Sequence, residues 1–176
     1  SSVFVSIEDI SRLKQTEEEL RHSLVQKTAL LQEIHHRVKN NLAIVISILN
    51  LHKESTSDPA TRRILTDSQT RIYAMAAFHE NLYRDTSSPL FDISEYFRSI
   101  AEYVVQIYAD RYPNVEITYD IAPIAFDSNT LIPLGLIATE ALTNTFKHAF
   151  HEVSDPRITI SVSETQTERI VVFSDN

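Results

Sequence analysis

The side chains best suited to chemistry in the first part of the sequence are grouped around His36. Glu33 lies three residues before this histidine and Asn40 four residues after it, so all three share one face of a helix. Imidazole has an unperturbed pKa of about 6.5, which leaves a neutral ring nitrogen able to attack phosphorus near neutral pH. Glu33 can accept the imidazole proton, and Asn40 can position a water molecule for dephosphorylation. The group therefore fits a histidine that accepts a phosphoryl group.

The same group of residues allows two other interpretations besides a phosphoacceptor. The same residues fit an ordinary solvated helix face, which is the commoner setting for a histidine among charged side chains. A metal site is disfavoured because His36 has no second histidine and no carboxylate four residues away. Arg37 and Lys39 would partly neutralise an added phosphoryl group, which favours the phosphoacceptor and leaves the solvated face as its alternative.

A second polar group lies between positions 140 and 148, on what the spacing predicts to be a helix. Its polar face is formed by Glu140, Asn144, Lys147 and His148, and apolar residues occupy the opposite face. The side-chain oxygen of Asn144 is a suitable Mg²⁺ ligand beside phosphate oxygens, and Lys147 and His148 can donate hydrogen bonds to the same phosphates. An ordinary amphipathic helix has the same spacing, so the pattern alone leaves both interpretations open.

The first group is carried by a segment whose apolar pattern predicts a long helix. From Ile10 to about Ser55 the chain has neither Pro nor Gly, and apolar residues recur at helical steps. This repeat places His35 beside the apolar seam and His36 facing away from it. A helix of this length is not stable alone in water, so residues 10–30 are predicted to form a coiled coil with a partner helix.

A second helix is predicted to begin after Asp58, which serves as N-cap with Pro59 at the first helical position, and to end near Tyr83. The two helices form a hairpin, and burial of their apolar faces favours a homodimer in which two hairpins make a four-helix bundle. Residues 86–89 are typical of a connection between domains. A mixed pattern follows, with a helix at 93–109, a strand at 115–121, a helix at 130–150, and strands at 157–163 and 169–173.

Composition excludes several classes of protein. The 176 residues include one glycine, Gly135, which excludes the glycine-rich loops of P-loop and Rossmann nucleotide sites, because each of these loops needs at least two glycines. The absence of cysteine excludes disulfides and thiolate metal sites. A net charge of −8 disfavours nucleic acid and anionic lipid as partners. The longest apolar run, 42–49, is too short to cross a bilayer, so we expect no direct membrane insertion of this segment.

Residues 30–42 resemble the dimerisation and histidine-phosphotransfer segment of sensor histidine kinases, in the subclass whose acceptor block reads H-R-x-K-N. That block aligns with His36 and not with His35. Residues 71–76 and 79–83 resemble the second helix of the same segment. The resemblance implies ATP-dependent autophosphorylation of His36, followed by transfer to an aspartate on a response-regulator receiver domain. It also implies a homodimer in the cytoplasm, with ATP and Mg²⁺ as cofactors.

The helix around residues 140–148 resembles the first nucleotide-binding box of the ATPase domain shared by histidine kinases, gyrases and heat-shock-ninety chaperones. The resemblance implies that Asn144 binds Mg²⁺, that Glu140 orients or deprotonates a reacting group, and that Lys147 and His148 lie near the phosphates. Asp175 matches the aspartate that reads the adenine amino group in this family. The family's glycines that follow this aspartate are not in the sequence, so we expect weak or no autokinase activity from this chain.

Residues 3–14 resemble the last strand and exit of a PAS sensory domain, which implies an upstream PAS sensor. The only methionine is Met75, and we expect the chain to be a fragment of a longer protein. The expected fold class is α+β, a dimerising helical hairpin with an N-terminal coiled coil followed by a truncated α/β-sandwich ATPase domain. The expected domains are the end of a PAS-like domain at 1–9, a coiled-coil signalling helix at 10–30, the phosphotransfer hairpin at 31–85 and a partial ATP-binding domain at 86–176.

Two functions of other classes compete with a kinase. One is a non-catalytic dimeric signalling scaffold, in which the hairpin only transmits conformation. The other is an ATPase of the gyrase or chaperone type. The long helix with the H-R-V-K-N block ahead of the nucleotide box argues against the second.

Overall fold

The computed structural model describes residues 7–81, 91, 93–124, 126–151 and 153–176. The predicted connection at 86–89 and the first six residues of the PAS-like segment lie outside these residues. The helices are α1 (Ile7–Ser55), α2 (Pro59–Asn81), α3 (Ile93–Tyr108) and α4 (Ser128–Asn144), with a π-helical turn at Thr145–Ala149, and the strands are β1 (Glu116–Ile121), β2 (Arg157–Glu164) and β3 (Arg169–Asp175). No helix in this described part combines the length and apolar character that crossing a bilayer requires.

The chain divides into two compact units, one up to Arg37 and one from Val38 to Asn176. The described part of the first unit is the N-terminal part of α1, and from Ile10 onward many of its large apolar side chains are exposed. They are Ile10, Leu13, Leu20, Leu24, Val25, Leu30, Leu31 and Ile34. The predicted apolar seam is therefore present on this helix and is not buried by other described residues of its own unit. The coiled coil itself stays a prediction.

The second unit begins with a helical hairpin formed by the rest of α1 and by α2. The predicted N-cap of α2 is confirmed, because the Asp58 carboxylate accepts hydrogen bonds from the backbone N–H of Ala60 at 3.3 Å and of Thr61 at 2.9 Å. Gln69 of α2 is buried, and its amide nitrogen donates to Asn50 Oδ1 at 2.6 Å and to the backbone oxygen of Ile46 at 3.2 Å. This polar contact fixes the register of the two helices, since a buried amide must keep its partners.

Helices α2, α3 and α4 pack around one core, and Tyr96 of α3 lies at their centre. This tyrosine is buried, and its hydroxyl donates to the backbone oxygen of Ala74 on α2 at 3.2 Å. On its α4 side the ring lies against Gly135, where an added Cβ would be 1.8 Å from the tyrosine hydroxyl oxygen. The single glycine of the sequence is therefore explained by close packing and not by a turn.

The three strands form one sheet in the order β1-β2-β3, with β1 parallel to β2 and β2 antiparallel to β3. Alternate residues of β2, Ile158, Ile160 and Val162, are buried in the same core as the helices. This alternation is the pattern of a strand that is covered on one face. The α+β class, with a long helical hairpin followed by a small α/β part, is confirmed.

The predicted helix at 130–150 is present as α4 and the π-helical turn that continues it to Ala149, so the difference is that its last turn is π-helical and not α-helical. Phe146 and Phe150 on either end of this turn are both buried and meet edge to face at 5.3 Å. Their rings also contact Tyr108 and Tyr112. Tertiary packing of two rings in one aromatic cluster overrides the local preference for an α-helical turn, which periodicity alone does not reveal.

Candidate functional site

The two adjacent histidines of α1 differ in exposure as the apolar seam predicts. His36 is exposed, whereas His35 is half-buried. Desolvation by this partial burial lowers the pKa of His35 below its ordinary value. Of the two, His36 is the one whose imidazole is open to solvent and to a partner.

Glu33 and Arg37, both predicted to assist His36, pair with each other. Arg37 Nε donates to Glu33 Oε1 at 2.7 Å, and both side chains are more than half exposed. An exposed pair at this spacing contributes only about 0.3–0.5 kcal/mol, so thermal motion opens it readily. Glu33 is therefore not held firmly by Arg37. Asn40 is also exposed on α1.

Lys39 lies in the same sequence block and pairs across the hairpin. Its Nζ donates to Glu80 Oε1 of α2 at 2.5 Å. The sequence reasoning assigned Lys39 to charge neutralisation and did not find Glu80. The contact joins Lys39 and Glu80, both in the second unit, and each of them comes from a sequence segment in which the family resemblance was found.

A cavity of about 400 Å³ lies between the end of α4, the π-helical turn and the end of β3. Three of the five predicted nucleotide residues line it, namely Asn144, His148 and Asp175. The remaining lining residues are Ala141, Thr145, Ala149 and Phe173. Its lining combines four polar residues with three apolar ones, and a concave site of this size with converging polar groups is a candidate for binding a small ligand.

Thr145 is a member of this site that the sequence reasoning missed. Its hydroxyl donates to Asp175 Oδ2 at 2.6 Å and so ties the π-helical turn to the end of β3. The only signal in the sequence was a hydroxyl residue next to Asn144. Only the fold brings Asp175 beside it.

Glu140 and Lys147 do not line the cavity, because both contact α2. Glu140 Oε2 accepts a hydrogen bond from Arg71 Nη2 at 2.9 Å. Lys147 Nζ donates to both carboxylate oxygens of Asp67, at 2.9 Å and 3.0 Å. The single polar face predicted for residues 140–148 is thus divided between α2 and the cavity.

The donor set fits a Mg²⁺ ion that is bound together with a phosphate ligand. No group of three His, Cys, Asp or Glu side chains suited to a metal occurs among the described residues. Mg²⁺ in nucleotide sites takes one or two protein oxygens and completes its shell with phosphate oxygens and water. The oxygen of Asn144, on the wall of the cavity, is of the type that such a site needs.

Comparison with known proteins points to one family. A family model described as histidine kinase matches residues 33–108. The sensor histidine kinase PdtaS of Mycobacterium tuberculosis is 28% identical over 175 residues, which are 98% of this chain and 33% of that protein. The sensor histidine kinase PdtaS of Mycolicibacterium smegmatis is 28% identical over 152 residues, 83% of this chain and 28% of that protein. The chain spans about a third of the length of these curated relatives.

Solved structures support the fold. A histidine kinase domain from the blue-light activated histidine kinase of Erythrobacter litoralis matches 82% of this chain and 67% of that chain, with a TM-score of 0.53 and 21% identity. Another structure of that kinase matches 82% of this chain and 43% of that chain, with a TM-score of 0.56 and 22% identity. At these identities the likeness concerns the fold alone.

Proposed function

We propose that this chain is part of a sensor histidine kinase in which His36 accepts the γ-phosphoryl group of ATP, because residues 33–108 match a family model described as histidine kinase. The observation that carries this proposal is the exposure of His36 on α1, within the residues that match the family, beside a half-buried His35. A nucleophile that must meet a nucleotide domain and then a receiver domain has to project from a rigid element. The helix α1 meets this requirement.

Residues of α1 carry out the phosphoryl transfer to His36 in this proposal. A ring nitrogen of His36 attacks the γ-phosphorus, an N–P bond forms, the bond to the β-phosphate oxygen breaks and ADP leaves. Glu33, released from its exposed pair with Arg37, accepts the proton from the imidazole. Asn40 positions a water molecule for dephosphorylation, and Arg37 and Lys39 offset the added negative charge.

The nucleotide is proposed to occupy the cavity at the end of α4. When bound, Mg²⁺ neutralises charge on the phosphates and ATP supplies the transferred group. Asn144 would hold the cation, His148 would donate to a phosphate oxygen and Asp175 would accept from the adenine amino group. Glu140 and Lys147 would join the site after leaving their partners on α2.

The partners are part of the same proposal. On the hairpin of the second unit, Ile44, Val45, Ile48 and Leu51 of α1 and Ile64 of α2 are exposed. A stripe of this kind supports a homodimer in which two hairpins bury these residues as a four-helix bundle. We also propose a response-regulator receiver domain as phosphoryl acceptor, an upstream PAS sensor and a cytoplasmic location. The expected domain limits, at 1–9, 10–30, 31–85 and 86–176, belong to this proposal.

Radiolabelling with matched histidine variants tests the proposal. The chain is incubated with an active histidine kinase of the same family, Mg²⁺ and ATP labelled at the γ-phosphate. We expect alkali-stable, acid-labile label on the wild-type chain and on His35→Gln, because the exposed imidazole is intact in both. We expect no label on His36→Gln.

The outcome separates the kinase from its main alternative. Label that survives in His36→Gln and disappears in His35→Gln would overturn the assignment of the acceptor. A chain that is dimeric and folded but takes no label from the active kinase would favour the non-catalytic signalling scaffold. Circular dichroism of both variants checks that the helices are retained.

A further inference from the structure

Thr145 provides a fixed hydrogen-bond donor on one wall of the cavity. Its side chain is nearly buried, and its backbone N–H donates to the carbonyl oxygens of Ala141 and Leu142 at the end of α4. A β-branched side chain has few χ1 rotamers, which limits where the hydroxyl can point. The next residue, Phe146, is buried in the aromatic cluster and holds the turn in place. The hydroxyl therefore has a defined position.

Asp175, in contrast, is exposed at the last position of β3. An exposed carboxylate at a strand end is free to rotate unless another group holds it. The Thr145 hydroxyl donates to one of its oxygens, Oδ2, at 2.6 Å, the short distance of a hydrogen bond to a charged acceptor. One carboxylate oxygen is thereby occupied, and the orientation of the other is set by a rigid neighbour.

We propose that Thr145 is a positioning residue which orients Asp175 so that the site accepts a purine with an amino group at position 6 and rejects one with a carbonyl group there. An ionised carboxylate only accepts hydrogen bonds, so a held oxygen pairs with an amino donor and opposes a carbonyl acceptor. A carboxylate that is free to rotate could turn its oxygen away from a carbonyl group at position 6. The site would then no longer distinguish the amino purine from the carbonyl purine. Ala141 and Phe173 supply apolar wall beside these polar groups, as a purine ring requires.

This inference rests on the proposed use of the cavity for ATP, and its test is the preference for adenosine over inosine diphosphate. Binding of each nucleotide to the chain, with Mg²⁺, is followed by NMR chemical shifts. We expect wild type to prefer ADP and Thr145→Val to reduce this preference about tenfold, since the isosteric side chain has lost the donor. Thr145→Ser keeps the hydroxyl and should retain most of the preference. Thr118→Val, an exposed threonine on β1, is the matched control and should leave it unchanged.

Asp175→Asn distinguishes failure of this inference from failure of the proposed function. An unchanged preference in Thr145→Val, together with a lost preference in Asp175→Asn, would overturn the role of Thr145 and leave the adenine site standing. If wild type shows no shifts at Asn144 and His148 with ADP up to about 10 mM, the nucleotide site and this inference both fail. Thermal unfolding of each variant establishes that the compared proteins are folded.

Discussion

Helix α4 is attached to its neighbours in two different ways. One is a buried contact, in which Tyr96 of α3 fills the space over Gly135 and donates to the backbone of Ala74 on α2. The other consists of two ion pairs with α2, one formed by Glu140 of α4 and one by Lys147 of the π-helical turn that continues α4. The buried contact tolerates no added atom, whereas charged side chains can exchange partners without moving the helices.

The two ion pairs also differ from each other. Arg71 and Glu140 are 58% and 53% exposed, but Lys147 and Asp67 are only 20% and 32% exposed. The Lys147 ammonium also contacts both carboxylate oxygens of its partner. The exposed pair of Glu140 is thus readily opened, while Lys147 is held by α2. The buried contact fixes the position of α4. The ion pairs determine how easily Glu140 and Lys147 can leave α2 and contact another group.

The largest expected effect comes from filling the buried contact. In Gly135→Ala the new methyl group would overlap the Tyr96 hydroxyl, so the ring or α4 must shift. We expect a loss of about 2–3 kcal/mol in the free energy of unfolding, measured by urea denaturation.

Two further variants show whether this loss arises from overlap. Combining Gly135→Ala with Tyr96→Phe, which removes the overlapping oxygen, should recover part of the loss. Ala138→Gly on the same helix measures the cost of changing helix propensity and packing without overlap. A Gly135→Ala protein as stable as wild type would contradict the tight packing inferred for this contact.

The second largest effect is expected at the less exposed ion pair, between Lys147 and Asp67. In Asp67→Asn the partly buried ammonium of Lys147 loses its counter-charge, which should destabilise the fold by about 1–2 kcal/mol. The released Lys147 should at the same time bind ADP more tightly, by about three- to tenfold. Urea denaturation measures the loss of stability, and NMR titration measures the gain in ADP binding. The first effect reduces the amount of folded protein, whereas the second strengthens ligand binding.

Tyr108 supplies an independent measurement of the same change. Burial raises the pKa of Tyr108, and the negative charge of Asp67 raises it further. Ultraviolet titration of the Asp67→Asn protein should therefore show this tyrosine ionising at lower pH. Asp110→Asn, an exposed aspartate, is the control. Unchanged stability and unchanged ADP binding in Asp67→Asn would show that Lys147 does not depend on this partner.

Local patterns predicted the helices and much of the core from sequence. The three-four repeat located α1 and α2 and distinguished exposed His36 from half-buried His35, because both depend on one helix alone. The apolar face predicted opposite the polar residues of α4 is buried at Leu131, Ala138 and Leu142. Asp58 was recognised as an N-cap because its hydrogen bonds are local.

The contacts of the proposed nucleotide-binding residues could not be predicted from the sequence. Whether Lys147 faces a phosphate or α2 depends on Asp67, which is 80 positions away in the chain. The hydrogen bond from Thr145 to Asp175 spans 30 positions. The π-helical turn depends on aromatic packing with α3 and the residues after it. Contacts over such separations follow from topology, which a periodic pattern in one segment does not contain.

The smallest expected effect belongs to the exposed ion pair. Arg71→Gln removes the cation beside Glu140, but solvent screens both groups, so stability should change by no more than about 0.5 kcal/mol. Arg62→Gln, at another exposed arginine of α2, is the matched control for loss of charge and should give the same value. Urea denaturation at low and high NaCl measures both variants. A loss in Arg71→Gln as large as in Asp67→Asn would remove the distinction between the two pairs, and Glu140 would then be held by α2 as firmly as Lys147.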